Sequence, residues 1–343
     1  MANSELVLVT CGTGAVGVNC ILQLLQKGYA VRTTLRSLSK KVEVLAMLKY
    51  GGVASPANLS FVEADLGSDA NWDQALQGCT YLLHVASPTQ HEPADENAVI
   101  RPAVDGVLRV LKAARQAGVK RVVLTSSFGA LGFSNHDRST VTTEANWTDP
   151  AEKGLSAYEK SKVLAERAAW EFIKTEGGQL ELAVINPVAI FGPLLGASKS
   201  PSFGLLQLLL RGTMKAVPNI VLNTVDIRDV ADLHIRAMLT PEAAGHRFIA
   251  SADGEISLPE IAQLLKSKLP AISGKVSSRT LPDFAVRLGA LFNTTAKRGA
   301  LFIKVNRQVS TANAKHLLGW QPIGTKEDAV LASAKSMHEF NMI

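Results

Sequence analysis

The stretch Leu6-Val7-Leu8-Val9-Thr10-Cys11-Gly12-Thr13-Gly14-Ala15-Val16-Gly17 decides the fold. Its first part is apolar and β-branched and reads as a strand, Leu6–Thr10. Glycines at positions 12, 14 and 17 follow at once. Helical apolar spacing then runs over Val18–Leu25 and stops near Lys27-Gly28. Strand, glycine turn and helix in this order form the unit in which backbone N–H groups and a helix N-terminus hold a pyrophosphate. Gly12, Gly14, Ala15, Val16 and Gly17 are therefore the candidate phosphate-binding residues. The bland alternative is a βα turn whose glycines serve packing alone.

Moving outward, the same alternation repeats. Ala30–Leu35, Leu59–Glu63, Tyr81–Val85, Arg121–Thr125 and Leu182–Asn186 read as strands, and Ser39–Tyr50, Asn97–Ala117 and Leu155–Lys174 as helices. Strands that are nearly continuously apolar, with helices between them, predict a doubly wound parallel sheet of the Rossmann α/β class, covered on both faces. After Pro187 the pattern loosens. Phe203–Leu210 is amphipathic, Val221–Ile227 is a further strand candidate, Asp229–Met238 a helix, and Arg247–Ala250 with Leu258–Lys268 repeat strand then helix. The expected division is a dinucleotide-binding core of residues 1–191, to which 220–250 return, and a smaller C-terminal substrate lobe of 192–219 and 251–343.

The residue 19 beyond Gly17 marks the cofactor. A carboxylate at the end of the second strand would bind a ribose 2′-hydroxyl. Here it is Arg36, in Arg36-Ser-Leu-Ser-Lys40-Lys41. A guanidinium suits a 2′-phosphate, so NADP(H) is expected, with Arg36 and Lys40 as its phosphate partners. Asp65 and Leu66 follow the third strand and could reach the adenine; a helix N-cap region is the alternative. Val85, Ala86 and Ser87 follow the fourth strand, at the sheet edge where ligands bind in this architecture.

Tyr158-Glu-Lys-Ser-Lys162 lies on the long helix after the fifth strand. A spacing of four puts phenol and ammonium on one helix face. The ammonium is expected to lower the phenol pKa, making Tyr158 a general acid toward a carbonyl oxygen. Thr125-Ser126-Ser127 closes the preceding strand at the same edge, and Ser127 is the hydroxyl chosen to polarise that oxygen. Ser126 is assigned to strand-end hydrogen bonding.

With these residues in place the chain resembles an extended short-chain dehydrogenase/reductase, most nearly the dihydroflavonol-reductase and aldehyde (carbonyl) reductase branch. The matching stretches are Val9–Gly17, Val31–Ser37, His84–Pro88, Val123–Ser127, Tyr158–Lys162, Asn186-Pro187 and Val225–Ala231, in family order. The resemblance implies a catalytic triad of Ser127, Tyr158 and Lys162. It places Lys162 on the nicotinamide ribose, Pro187 and Val188 along the nicotinamide, and Arg36 on the 2′-phosphate. It implies hydride delivery from NADPH to an aldehyde or ketone. One departure stands out: Cys11 occupies the first family glycine. Either Gly12 takes over the turn or the loop holds the pyrophosphate less well, and the thiol itself reads as small, buried and inert. Two other functions share the fold: a sugar-nucleotide epimerase or dehydratase, and a non-catalytic NADP(H) sensor.

Charge and composition bound the remainder. The 343 residues carry 36 Lys+Arg against 30 Asp+Glu, a net charge of +6. Segment 275–307 holds seven cations and only Asp283, so it alone equals the whole excess. A solvated helical face is the favoured reading, and steering of NADPH or an acidic substrate the sharper one. Nucleic acid is not an expected partner, and a small carbonyl compound is. No apolar run reaches the length of a membrane span, and the N-terminus lacks a signal-peptide pattern. Cys11, Cys20 and Cys79 show neither metal spacing nor an even disulfide set, so a soluble cytoplasmic protein without a metal is expected. His84 is assigned to packing, and His91, His136 and His234 lack ligand spacing. Asp226, Arg228 and Asp229 read as a structural corner. Phe128, Phe133, Phe191 and Phe203 are grouped as candidate pocket residues.

Overall fold

The computed structural model describes residues 5–88, 95–198 and 200–343; His91 lies outside the described residues. The first half of the chain runs β1 (Leu6–Val9), α1 (Ala15–Gln26), β2 (Ala30–Leu35), α2 (Lys41–Tyr50), β3 (Leu59–Glu63), α3 (Trp72–Leu76), β4 (Tyr81–His84), α4 (Asn97–Gln116), β5 (Arg121–Thr125) and α5 (Ala157–Thr175). Next come β6 (Glu181–Pro187), β7 (Ala189–Phe191), α6 (Pro201–Leu210), β8 (Val217–Pro218), β9 (Val221–Leu222), β10 (Thr224–Asp226), α7 (Ile227–Leu239) and β11 (Arg247–Ala250). The chain ends with β12 (Ile256–Ser257), α8 (Leu258–Lys268), β13 (Thr280–Leu281), α9 (Asp283–Gly289), α10 (Thr294–Lys304), α11 (Ala312–Leu318) and α12 (Lys326–Glu339).

Seven strands form one sheet in the order β11-β6-β5-β4-β1-β2-β3. Every neighbouring pair in it is parallel. This is the expected doubly wound Rossmann class. Side chains alternate across the sheet with a period of two. Val7, Val9, Leu83 and Val123 enter the core shared with α1 and α7. Leu8, Leu82, Val122 and Leu124 enter the opposite core under α4 and α5. Both faces are covered, which is why the strands read as unbroken apolar runs. Strand order reverses at β1, whose neighbours are β2 and β4. The crevice at that switch point is where the glycine turn opens.

Several boundaries differ from the sequence reading. Helix α1 starts at Ala15, directly on Gly14, not at Val18. The single strand expected over Val221–Ile227 is two: β9 pairs antiparallel with β12, and β10 pairs parallel with β7. Asn223 breaks the run, because its side chain is committed to the carbonyls of Gly254 and Arg307. A third apolar cluster gathers Phe191, Phe203, Leu206, Leu258, Ile261 and Val330 away from the main sheet. Leu318 and Trp320, by contrast, pack into the main core, and Trp320 donates its indole N–H to Asp229 O at 3.2 Å. Among the described residues no helix is long and apolar enough to cross a membrane.

Candidate active site

The glycine turn is built by close approach. A Cβ on Gly12 would lie 2.5 Å from Thr33 Oγ1, and one on Gly17 would lie 2.2 Å from Cys11 O. Gly17 therefore lets α1 pack directly on the loop. Gly12 does not take over the left-handed turn. Cys11 adopts it, with φ 64, and Gly12 is absent from the positive-φ positions. The loop fixes Cys11 through its N–H to Thr34 Oγ1 at 3.3 Å and its carbonyl, which accepts Gly14 N–H at 2.9 Å. The Cys11 thiol lies over Gly14, and burial pushes its pKa up. It is half-buried, not fully buried. Gly14 caps α1 without a side-chain bond, and the first turn holds no acidic residue. The N–H groups of Ala15, Val16 and Gly17 open the helix with the positive end of its dipole toward the crevice, which fits a pyrophosphate.

Arg36 sits just past β2, exposed, close enough for its charge to act on the Cys11 thiol. It makes no hydrogen bond or ion pair among the described residues. Lys40 is exposed and pairs with Glu43 at 3.0 Å, so it does not stand free beside Arg36. Asp65 is committed locally, its Oδ1 accepting Gly67 N–H at 2.7 Å. The loop after Leu66 is held to α4 by Arg109, which donates to Leu66 O and Asp69. The helix-cap role does not apply, because α3 starts at Trp72 with Asn71 as its cap.

Thr10 organises the opposite side of the switch point. Its Oγ1 accepts Val85 N–H at 2.9 Å and Ala86 N–H at 2.8 Å. With both lone pairs used, its proton goes to His84 Nδ1 at 3.1 Å. His84 is buried, and burial first, then the Lys162 charge, lowers its pKa to about 3. It is therefore neutral and packs the strand end, as expected of it. Ser87, Thr125, Ser126, Lys162 and Glu166 line one narrow cleft at the carboxyl edge of β4 and β5. Ser127 and Tyr158 do not line that cleft.

A capping box at Ser156 sets the start of α5. Ser156 N–H donates to Glu159 Oε2 at 2.8 Å, which fixes Tyr158 in the first turn. Lys162 Nζ lies 5.8 Å from the Tyr158 ring centroid and donates to Thr125 O at 3.4 Å. The ammonium is thus laid against the ring face, and it does not lower the phenol pKa. Burial first, then the Glu159 carboxylate, raises Tyr158 to about 12. The phenol rests protonated, the form a proton donor needs. Ser127 Oγ accepts Gly129 N–H at 3.1 Å, which leaves its O–H to donate. A Cβ on Gly129 would lie 3.4 Å from both Ser127 Oγ and Glu159 Cγ, so the serine turn abuts the first turn of α5. Pro187 ends β6, and Val188 N–H donates to Ala250 O at 3.1 Å.

Glu166, one turn beyond Lys162, is a residue the sequence reading missed. It is 1% exposed. It accepts Ser126 Oγ at 2.5 Å, Asn186 Nδ2 at 2.8 Å and Arg247 Nε at 2.6 Å. Asn186 in turn donates to Ser127 O at 3.3 Å. Ser126 is thereby consumed, and the backbone of Ser127 is anchored. The helical period that joined Tyr158 to Lys162 continues to Glu166, which was the available signal. Two further departures concern the C-terminal part. Arg298 pairs with Glu159, and Arg307 is buried, so segment 275–307 is not wholly a solvated face. Phe191 and Phe203 belong to the third apolar cluster, whereas Phe128 and Phe133 surround Arg307. Arg228 pairs with Asp226, whereas Asp229 accepts Ile323 N–H at 3.0 Å. No group of three or more metal-ligating side chains occurs among the described residues.

Residues 7–250 match the model of the NAD dependent epimerase/dehydratase family. Cinnamoyl-CoA reductase 1 of Petunia hybrida is 36% identical over 283 residues, covering 80% of this chain and 82% of that protein. The bifunctional dihydroflavonol 4-reductase/flavanone 4-reductase of Pyrus communis is 33% identical over 278 residues, covering 78% of each. Gre2 from Candida albicans, solved in complex with NADPH, superposes with a TM-score of 0.78 at 26% identity, covering 98% of this chain and 99% of that one.

Proposed function

The chain belongs to the NAD dependent epimerase/dehydratase family, within the extended short-chain dehydrogenases/reductases, and from that premise we propose that it is an NADPH-dependent reductase converting an aldehyde or ketone to an alcohol. One observation carries the reading: Lys162 lies against the ring of a protonated Tyr158 at the carboxyl edge of β5, beside the Ser127 turn. NADPH, reported in the Gre2 complex, supplies a hydride to the carbonyl carbon when bound.

The chain's own residues do the rest. The N–H groups of Ala15, Val16 and Gly17 hold the pyrophosphate, and Arg36 holds the 2′-phosphate. Lys162 holds the nicotinamide ribose, and Pro187 and Val188 flank the nicotinamide. Ser127 donates its O–H to the substrate oxygen, and Tyr158 delivers the proton to that oxygen as charge builds on it. Glu166 positions Ser127 through Asn186. The relatives named as reductases support this reading over an epimerase or dehydratase, and a proton donor has no use in a sensor.

The test is NADPH absorbance loss across aldehydes, ketones and flavanone-type ketones, with Tyr158→Phe alongside wild type. Turnover should fall by roughly 10² to 10⁴ with NADPH binding retained. Full activity of Tyr158→Phe refutes the donor assignment. Tight NADPH binding without oxidation by any carbonyl refutes the reductase.

A further inference from the structure

Arg307 is 7% exposed, and both of its ends are tied to the reaction edge. Its carbonyl accepts Asn223 Nδ2–H at 2.9 Å. The carbonyl of Asn223 accepts Ala189 N–H at 3.1 Å, two residues past Pro187. At the other end, the guanidinium carbon lies 5.7 Å from the ring centroid of Phe128, 5.7 Å from Phe133 and 5.4 Å from Phe302. Phe128 directly follows Ser127. The guanidinium therefore packs against the ring of the residue next to the serine assigned to the carbonyl oxygen.

Two of its nitrogens, Nε and Nη2, are buried without a hydrogen-bond partner. These two N–H groups share one edge of the guanidinium, the edge that grips a carboxylate side-on with two parallel bonds. The same chain shows that edge filled elsewhere. Arg228 gives Nε to Asp226 Oδ1 at 2.9 Å and Nη2 to Asp226 Oδ2 at 2.8 Å. Around Arg307 no carboxylate of the described residues takes that place. Glu255, whose charge reaches it, is exposed and forms no ion pair with it. Burial lowers the Arg307 pKa to about 10, so it stays charged at neutral pH. The aromatic rings stabilise the cation through its environment but accept nothing along its edge.

Resting on the carbonyl-reductase reading, we propose that Arg307 is a substrate-binding residue that takes the carboxylate of an oxo acid through Nε and Nη2, with Phe128, Phe133 and Phe302 contacting the apolar part of that substrate. A planar carboxylate fits two coplanar N–H groups, and the ring-lined surroundings fit an aryl or alkyl body. The enzyme then selects carbonyl substrates that bear an acid group over their neutral esters.

The experiment compares phenylglyoxylate with its methyl ester as oxidants of NADPH, in wild type, Arg307→Met and Arg307→Lys. The acid-to-ester ratio of kcat/KM should fall at least tenfold in Arg307→Met, through the KM of the acid. Arg307→Lys should lose part of it, because an ammonium keeps the charge without the planar fork. If Arg307→Met does not fold, Arg307→Lys carries the comparison. A purely structural arginine would lower both substrates together, and an unchanged ratio overturns the proposal. Benzoate titrated calorimetrically into the NADPH-loaded protein separates the two readings. Binding that weakens at least tenfold in Arg307→Met supports the carboxylate site even where neither carbonyl is reduced; the reductase is refuted instead only when no carbonyl of the wider panel oxidises NADPH. Equal benzoate affinity in wild type and variants overturns the carboxylate site.

Discussion

Replacing Lys162 by Met is expected to raise the melting temperature of the cofactor-free protein while removing its activity. The ammonium is 7% exposed and has one long hydrogen bond, to Thr125 O at 3.4 Å. Burial lowers its pKa from 10.5 to about 8, against the opposing pull of Glu166. At about 1.36 kcal/mol per pH unit, that drop corresponds to roughly 3 kcal/mol by which folding disfavours the protonated lysine at neutral pH. Losing the hydrogen bond to Thr125 returns about 1 kcal/mol, which leaves a net gain of roughly 2 kcal/mol. For a chain of this size the gain is about 2 to 5 °C. The direction with pH follows from the same values. The folded pKa lies below the unfolded one, so between about pH 8 and 10.5 the unfolded chain binds the proton that the folded chain has released. Wild-type stability therefore gains from this group as pH rises through that window, and the advantage of Lys162→Met shrinks. Scanning calorimetry of both proteins without cofactor, at pH 7 and pH 10, measures the gap. A variant that melts at or below wild type at pH 7, or a gap independent of pH, refutes the reasoning. In the proposed reaction the cost sits at a residue that the chemistry requires, a trade of stability for function.

Two shorter predictions concern the cofactor. Arg36→Asp should lower the NADPH-to-NADH ratio of kcat/KM by roughly 10- to 100-fold, the range of a lost charge-assisted bond to phosphate. An unchanged ratio removes Arg36 from the 2′-phosphate. Gly17→Ala places a methyl 2.2 Å from Cys11 O, where the loop backbone must move. The expected cost is about 1 to 3 kcal/mol in stability together with weaker NADPH binding, read by thermal melts and a fluorescence titration. Wild-type values in both would show that α1 does not need its close approach to the loop.

What the sequence alone determined is the sheet and its switch point. β2, β3, β5, β11 and α8 fall on the residues their patterns marked, because strands covered on both faces leave an unbroken apolar record. The glycine turn was legible because a side chain at Gly17 would meet the loop backbone and one at Gly12 the side chain of Thr33. The C-terminal helices were less legible, although Thr325 and Asp328 form the capping box that starts α12. Their apolar faces are short and divided between two cores, so no long period emerges.

Tertiary structure decided the electrostatics. A spacing of four put Tyr158 and Lys162 on one helix face, but it could not say that the ammonium lies on the ring while burial governs the phenol. The same spacing reaches Glu166, but not its partners Ser126, Asn186 and Arg247, which come from three other strands or strand ends. Arg307 is the sharpest case. In the sequence it is one of seven cations in a basic segment; in the fold it is buried among three rings with one edge unpaired. Local pattern fixes which face of an element is apolar, whereas desolvation and pairing depend on residues far apart in the chain.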